Sequence, residues 1–150
     1  MNDYRKTLLK SIGVTAENEE ELTFHSWNKV SSGLTLSEEF IREFQNKLNW
    51  DLISYHQNLS ENFIREFQTK VFWKSISTTQ KLSDEFLLEF HHKIDWERFF
   101  FSQKPSMFIV KKFITKSSIR EIETLFPKDF KNPELQEIQR KLDLKYLFEK

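Results

Sequence analysis

The string Leu-Ser-Glu-Glu-Phe-Ile-Arg-Glu-Phe that begins at Leu36 returns as Leu-Ser-Glu-Asn-Phe-Ile-Arg-Glu-Phe at Leu59 and as Leu-Ser-Asp-Glu-Phe-Leu-Leu-Glu-Phe at Leu82, an ungapped period of 23 residues. A fixed period in this range means that one supersecondary unit is copied and stacked, because a unit so small cannot bury its apolar face alone. A second ladder runs in phase and begins earlier: Trp27, Trp50, Trp73 and Trp96 follow one another at the same spacing of 23. A degenerate unit is therefore expected before Leu36, its first helix shortened to Glu21-Leu22-Thr23-Phe24.

The composition decides what the unit is made of. Two Gly and three Pro in 150 residues leave little room for hairpin turns, while sixteen Phe and four Trp supply a core, so the units should be helical. The expected fold class is all-α: a short helix-turn-helix repeat solenoid with capping helices at both ends. One domain, 1–150, would hold an N-terminal cap and degenerate repeat (1–35), repeats at 36–58, 59–81 and 82–104, a diverged repeat (105–126) and a C-terminal cap (127–150).

Two helices can be drawn in each unit. Ser37, Ser60 and Ser83 stand where an N-cap accepts from a free backbone N–H, and carboxylates follow in the first turn, where the helix dipole favours them. Phe40, Ile41, Phe44 and Leu48 recur as Phe63, Ile64, Phe67 and Val71 and as Phe86, Leu87, Phe90 and Ile94, one face of a helix of about eleven residues. Glu43 and Lys47, Glu66 and Lys70, and Glu89 and Lys93 would pair at i, i+4 on the other face. The second helix is short, with Trp50, Ile53 and Gln57 on one side. Gln57, Gln80 and Gln103 recur at its end, and each is expected to hydrogen-bond the backbone of the following loop.

The ends depart from this pattern. Asp3 to Ile12 has helical apolar spacing and stops at Gly13, and the acidic run Thr15 to Glu21 suits the first turn of a further helix. Beyond Pro105, Ile109, Val110, Phe113 and Lys116 take the places of Phe40, Ile41, Phe44 and Lys47, with Ile119 and Ile122 in the second helix of a diverged unit. Phe126-Pro127 breaks it. Asn132-Pro133 opens a last helix, Glu134 to about Phe148, with an apolar stripe that would close the stack.

The Leu-Ser-Glu-Glu-Phe-Ile-Arg-Glu-Phe string, followed by Lys and then by Trp with Ile-Ser three residues on, resembles the short Leu-Ser-Glu helical repeats of proteins from large DNA viruses, phages and mobile elements. The resemblance covers Leu36 to Gln103 well, Trp27 to Leu34 and Ser106 to Leu125 loosely, and the termini not at all. It implies a viral or phage-derived protein acting inside a host cell, and it brings no catalytic residues.

Catalytic and metal chemistry find little support in the residues. There is no cysteine, hence no disulfide framework, thiolate zinc site or cysteine nucleophile. Neighbouring His91 and His92 would point about 100° apart on a helix, and no His-x-x-x-His pair occurs among the four histidines. The carboxylates sit at repeated solvent-facing positions, and Ser31, Ser54 and Ser77 belong to the repeat consensus. The four Trp hold the position a repeat must bury. No cofactor or metal is expected, and the chain is not expected to be an enzyme. The N-terminal stretch lacks the apolar run of a secretory signal, and no segment reaches the roughly 18 apolar residues of a membrane span. A cytoplasmic protein in solution is expected.

Binding is the remaining function, and the departures from the repeat indicate where. Ser54-Tyr55 and Ser77-Thr78 become Phe100-Phe101 in the third repeat, and Gln45-Asn46 and Gln68-Thr69 become His91-His92. Repeat proteins bind through such variable positions. Tyr55, His56, His91, His92, Arg98, Phe100 and Phe101 are the candidate partner-binding residues of a module that captures a protein, as an inhibitor or adaptor of a host pathway. Two readings stand for Phe100 and Phe101: an interface anchor, or packing beneath the diverged unit. The alternative function is nucleic-acid binding through Lys104, Lys111, Lys112, Lys116 and Arg120. The formal charge is zero, but residues 1–103 carry 12 basic and 16 acidic side chains (net −4) and residues 104–150 carry 11 and 7 (net +4).

Overall fold

A computed structural model of the chain describes residues 3–13, 22–113, 137 and 140. All regular structure among them is helical. The chain divides into two compact units, Met1–Gln80 and Lys81–Lys150. The first holds α1 (Asp3–Ser11), α2 (Phe24–Gly33), α3 (Glu38–Glu43), α4 (Trp50–His56), α5 (Glu61–Glu66) and α6 (Trp73–Thr79). The second holds α7 (Asp84–Glu89), α8 (Trp96–Ser102) and α9 (Met107–Phe113).

Helices α3, α5 and α7 are the first helices of the three repeats, and each is six residues long rather than eleven. They start where the serines predict: Ser37, Ser60 and Ser83 accept from the N–H groups of Phe40, Phe63 and Phe86 at 3.1–3.2 Å. They end at Phe44, Phe67 and Phe90, whose N–H groups close the last turn, and the chain tightens into an i to i+3 turn with Lys47 donating to the Phe44 carbonyl at 2.8 Å. This shortening places Lys47 and Lys70 in the turn, outside the helical register in which they were expected to follow Glu43 and Glu66. The carboxylates reach neighbouring units instead. Glu43 meets Arg5 at 3.3 Å and Glu66 meets Arg42 at 2.9 Å. Lys70 donates to Gln45 Oε1 at 2.6 Å.

The second helices start at extended N-caps, with Asn49 accepting from the N–H groups of Asp51 and Leu52 and Asp95 from that of Arg98. In the first unit α2, α4 and α6 pack in a row. Two polar rungs join them. Ser54 donates to the Trp50 carbonyl (2.7 Å) and accepts from the Phe72 N–H of the next repeat (2.9 Å), as Ser31 does with Trp27 (2.8 Å) and Asn49 (3.0 Å). One hydroxyl thus satisfies a backbone donor that the turn would otherwise leave orphaned. The second rung is the glutamine, and it runs opposite to expectation. Buried Gln57 reaches back to the preceding loop: Oε1 accepts from the Leu36 N–H (2.9 Å), and Nε2 donates to the carbonyls of Ser31 (3.0 Å) and Leu34 (2.8 Å). Gln80 repeats the set on Leu59, Ser54 and Gln57.

Between the helices lies an aromatic ladder. Phe40 and Phe44 pack at 4.6 Å, as do Phe63 and Phe67, and two tryptophans of the first unit lie on the later phenylalanine of the following repeat, Trp27 on Phe44 at 5.3 Å and Trp50 on Phe67 at 5.0 Å. Trp27 is buried. Trp50 and Trp73 keep an exposed edge while their indole N–H groups donate to Gln45 and Gln68 carbonyls.

The degenerate first unit completes itself differently from expectation. Thr23 is the N-cap of α2, so Phe24 belongs to the second helix, and Leu22 and Thr23 form no turn of a shortened first helix. Its role falls to α1: Leu9 is buried, and Arg5 meets Glu43 and lies 4.8 Å from the Phe44 ring, just as Arg42 meets Glu66 and lies 5.0 Å from Phe63. Gly13 ends this helix at φ +73°, the left-handed conformation that favours glycine.

In the second unit the diverged repeat keeps its first helix, α9. Ser106 accepts from the Ile109 N–H (3.3 Å) and donates to Asp84 (2.6 Å), Ile109 and Val110 are fully buried, and Phe113 lies flat on Trp96 at 4.1 Å. The polar rungs change here. Buried Phe100 stands where Ser54 and Ser77 stood, and buried Pro105, which has no N–H, replaces Leu36 and Leu59. Phe126 occupies the glutamine position of this unit. The donor and the acceptor of the glutamine rung are thus removed together. The architecture is an all-α helix-turn-helix repeat solenoid. The expected second helix at Ile119 and Ile122, the acidic run Thr15–Glu21 and most of the helix 134–148 lie outside the described residues. Glu137 and Arg140 are helical and approach to 3.6 Å.

Candidate partner-binding surface

Because consecutive second helices hold equivalent positions 23 residues apart, each candidate has siblings in other units against which its environment can be read. Ser32, Tyr55, Thr78 and Phe101 are one such position, one residue after the buried rung Ser31, Ser54, Ser77 and Phe100. A residue later on a helix turns the side chain through about 100°, and that rotation separates the pair Phe100 and Phe101. Phe100 is 0 % exposed and packs against Trp96 and Phe99 at 5.8 Å from each, so it is core and drops out of the candidate surface. Phe101 is 73 % exposed.

In the first unit Tyr55 is 55 % exposed and meets His56 edge-on at 4.9 Å. Both project from the last turn of α4. In the second unit His91 and His92 lie in the turn after α7, both exposed, with rings 5.5 Å apart at 80°. His91 Nδ1 faces the Leu88 carbonyl at 2.9 Å, which makes that nitrogen the donor. Its ring also stacks on Phe113 at 6.0 Å. Arg98 is exposed and turns back to Asp95 at 3.4 Å.

The structure brings Tyr55 to His56 and His91 to His92, and it leaves Arg98 engaged with its own helix cap. Of the alternative cationic set, Lys104, Lys111 and Lys112 are exposed, whereas Lys116 and Arg120 lie outside the described residues. Among the described residues no three His, Asp or Glu side chains gather closely enough to hold a metal ion, and no helix is long and apolar enough to cross a membrane.

Of the exposed aromatics, sequence reasoning left Tyr4, Phe24, Phe72 and Phe108 out of the candidate surface. The signal for Phe108 was present: its position is Glu39, Asn62 and Glu85 in the other units, so a phenylalanine there breaks a polar pattern. Phe24 stands in the place of Lys47, Lys70 and Lys93, but α2 starts three residues before its siblings, so there the residue is helical. Comparisons with family models, with curated proteins and with solved structures found no match to this chain.

Proposed function

We propose that the chain is a non-enzymatic repeat module that binds a protein partner through the exposed residues of its second helices. One observation carries this reading. At the position shared by Ser32, Tyr55, Thr78 and Phe101 the side chain varies from repeat to repeat, and in two of the four it is a large exposed aromatic, Tyr55 and Phe101. The position before it is spent on the polar rung or the core. An exposed aromatic held on a scaffold of satisfied backbone loses little conformational entropy when it anchors an interface. The resemblance of the repeats extends the proposal to a viral or phage inhibitor or adaptor acting on a host protein in the cytoplasm.

An affinity capture from host lysate after nuclease treatment tests it, with Tyr55→Ala, Phe101→Ala and, as a control at an unrelated exposed aromatic, Phe24→Ala. The expected result is a specific protein retained by the parent and by Phe24→Ala and lost from Tyr55→Ala or Phe101→Ala. No enriched protein, or one indifferent to all three substitutions, refutes the proposal.

A further inference from the structure

We propose that the face of the second unit formed by α9 and the turn after α7 binds single-stranded nucleic acid. The first helices of the three repeats meet solvent with carboxylates, in the first turn and again at Glu43, Glu66 and Glu89. Helix α9 has none: its outward residues include Phe108, which is 53 % exposed, and exposed Lys111 and Lys112. Lys112 occupies the position at which Glu43 and Glu66 accept an arginine.

The neighbouring turn changes in the same sense. Gln45 and Asn46 receive the ammonium of Lys70 at 2.6 and 3.4 Å, and their equivalents in the third repeat are the imidazoles of His91 and His92. These changes meet around one ring. The His91 ring and the Lys112 ammonium lie 6.0 and 5.7 Å from Phe113, His92 lies 5.5 Å from His91, and Lys112 lies 5.8 Å from Phe108. The result is a continuous run of rings and cations.

Exposed rings beside lysines are what unpaired bases and their phosphates require, the rings stacking on base faces and the lysines meeting the backbone. Among the described residues the exposed lysines of α9 are Lys111 and Lys112, and α7 carries exposed Glu85 and Glu89, so stacking must supply much of the affinity. That favours a single strand, whose bases are open, over a duplex or an acidic peptide.

Fluorescence anisotropy with the full chain decides the matter. The probes are single-stranded DNA and RNA of about 12 nucleotides, the matching duplex, and an acidic peptide of equal charge. Single strands of DNA, RNA or both should bind most tightly, with a log-log salt slope of about −1.4 from two phosphate contacts. Phe108→Ala should weaken binding about tenfold and leave the slope unchanged. The substitutions Phe108→Asn with Lys112→Glu restore residue types that earlier repeats carry at these positions, so folding is kept, and they should abolish binding. Absence of single-strand binding, equal binding of duplex or peptide, or indifference to Phe108→Ala overturns the proposal. Loss of lysate capture in Phe101→Ala reads the protein-binding surface separately.

Discussion

Replacing Gln57 by leucine removes the amide that ties two repeats together while keeping a side chain of similar size. Three contacts are lost: the bond accepted from Leu36 N–H at 2.9 Å and those donated to Ser31 and Leu34 carbonyls at 3.0 and 2.8 Å. Gln57 and Leu36 are both buried, so water cannot replace the amide without opening the stack. Leaving one buried N–H unpaired costs about 1–3 kcal/mol, and each carbonyl loses a bond worth about 1 kcal/mol net. Burying the added apolar surface returns about 1 kcal/mol. The balance is a destabilisation of about 3 kcal/mol, or about 6–12 °C in Tm for a chain of this size. The diverged unit indicates how to isolate the donor. There Pro105 lacks the N–H and Phe126 lacks the amide, so Leu36→Pro combined with Gln57→Leu should cost less than the sum of the two single substitutions by about 1–2 kcal/mol. Urea unfolding followed by far-UV circular dichroism measures the cycle. A Gln57→Leu cost below about 0.5 kcal/mol, or strict additivity, refutes the rung as a source of stability.

Two further outcomes follow from the same geometry. Ser54→Ala removes a hydroxyl that donates to Trp50 and accepts from Phe72 N–H, and it should cost about 1–3 kcal/mol by orphaning that N–H; an unchanged urea midpoint would show that the turn finds another acceptor. The exposed carboxyl of Glu39 is held below its ordinary value of 4.5 by its own backbone N–H in the first turn, by the Ser37 hydroxyl and by Arg42. A lowered folded-state value stabilises above the unfolded value and loses that contribution as pH falls through it. Stability measured from about pH 6 to about pH 3 should therefore fall less steeply in Glu39→Gln than in the parent, and parallel curves would remove Glu39 from the acid response.

The candidate surface was only partly legible in the sequence. The departures at Tyr55, His91-His92 and Phe101 do lie at exposed positions, because a residue that differs from siblings at an outward position cannot be serving the common core. Phe100 is also a departure, yet it fills the interior. A Ser-to-Phe change reads alike in sequence whether it makes an anchor or ends a hydrogen-bonded ladder. Phe108 is an equal departure, replacing carboxylates and an asparagine at an exposed position. The variability used to judge the third repeat applies with equal force to the diverged one.

The scarcity of Gly and Pro determined that the units are helical, and the 23-residue period determined that they repeat, which serines cap, and which apolar positions are buried, since equivalent residues must meet equivalent surroundings. Where each long polar side chain goes was decided only by the tertiary structure. Glutamine reaching backward, glutamate meeting an arginine of the preceding helix instead of its own lysine, and α1 standing in for a missing first helix all depend on the spacing and offset of successive units. Periodicity states that neighbours are alike. It does not state which neighbour a flexible side chain touches, because that is set by the six-residue length at which the first helices stop.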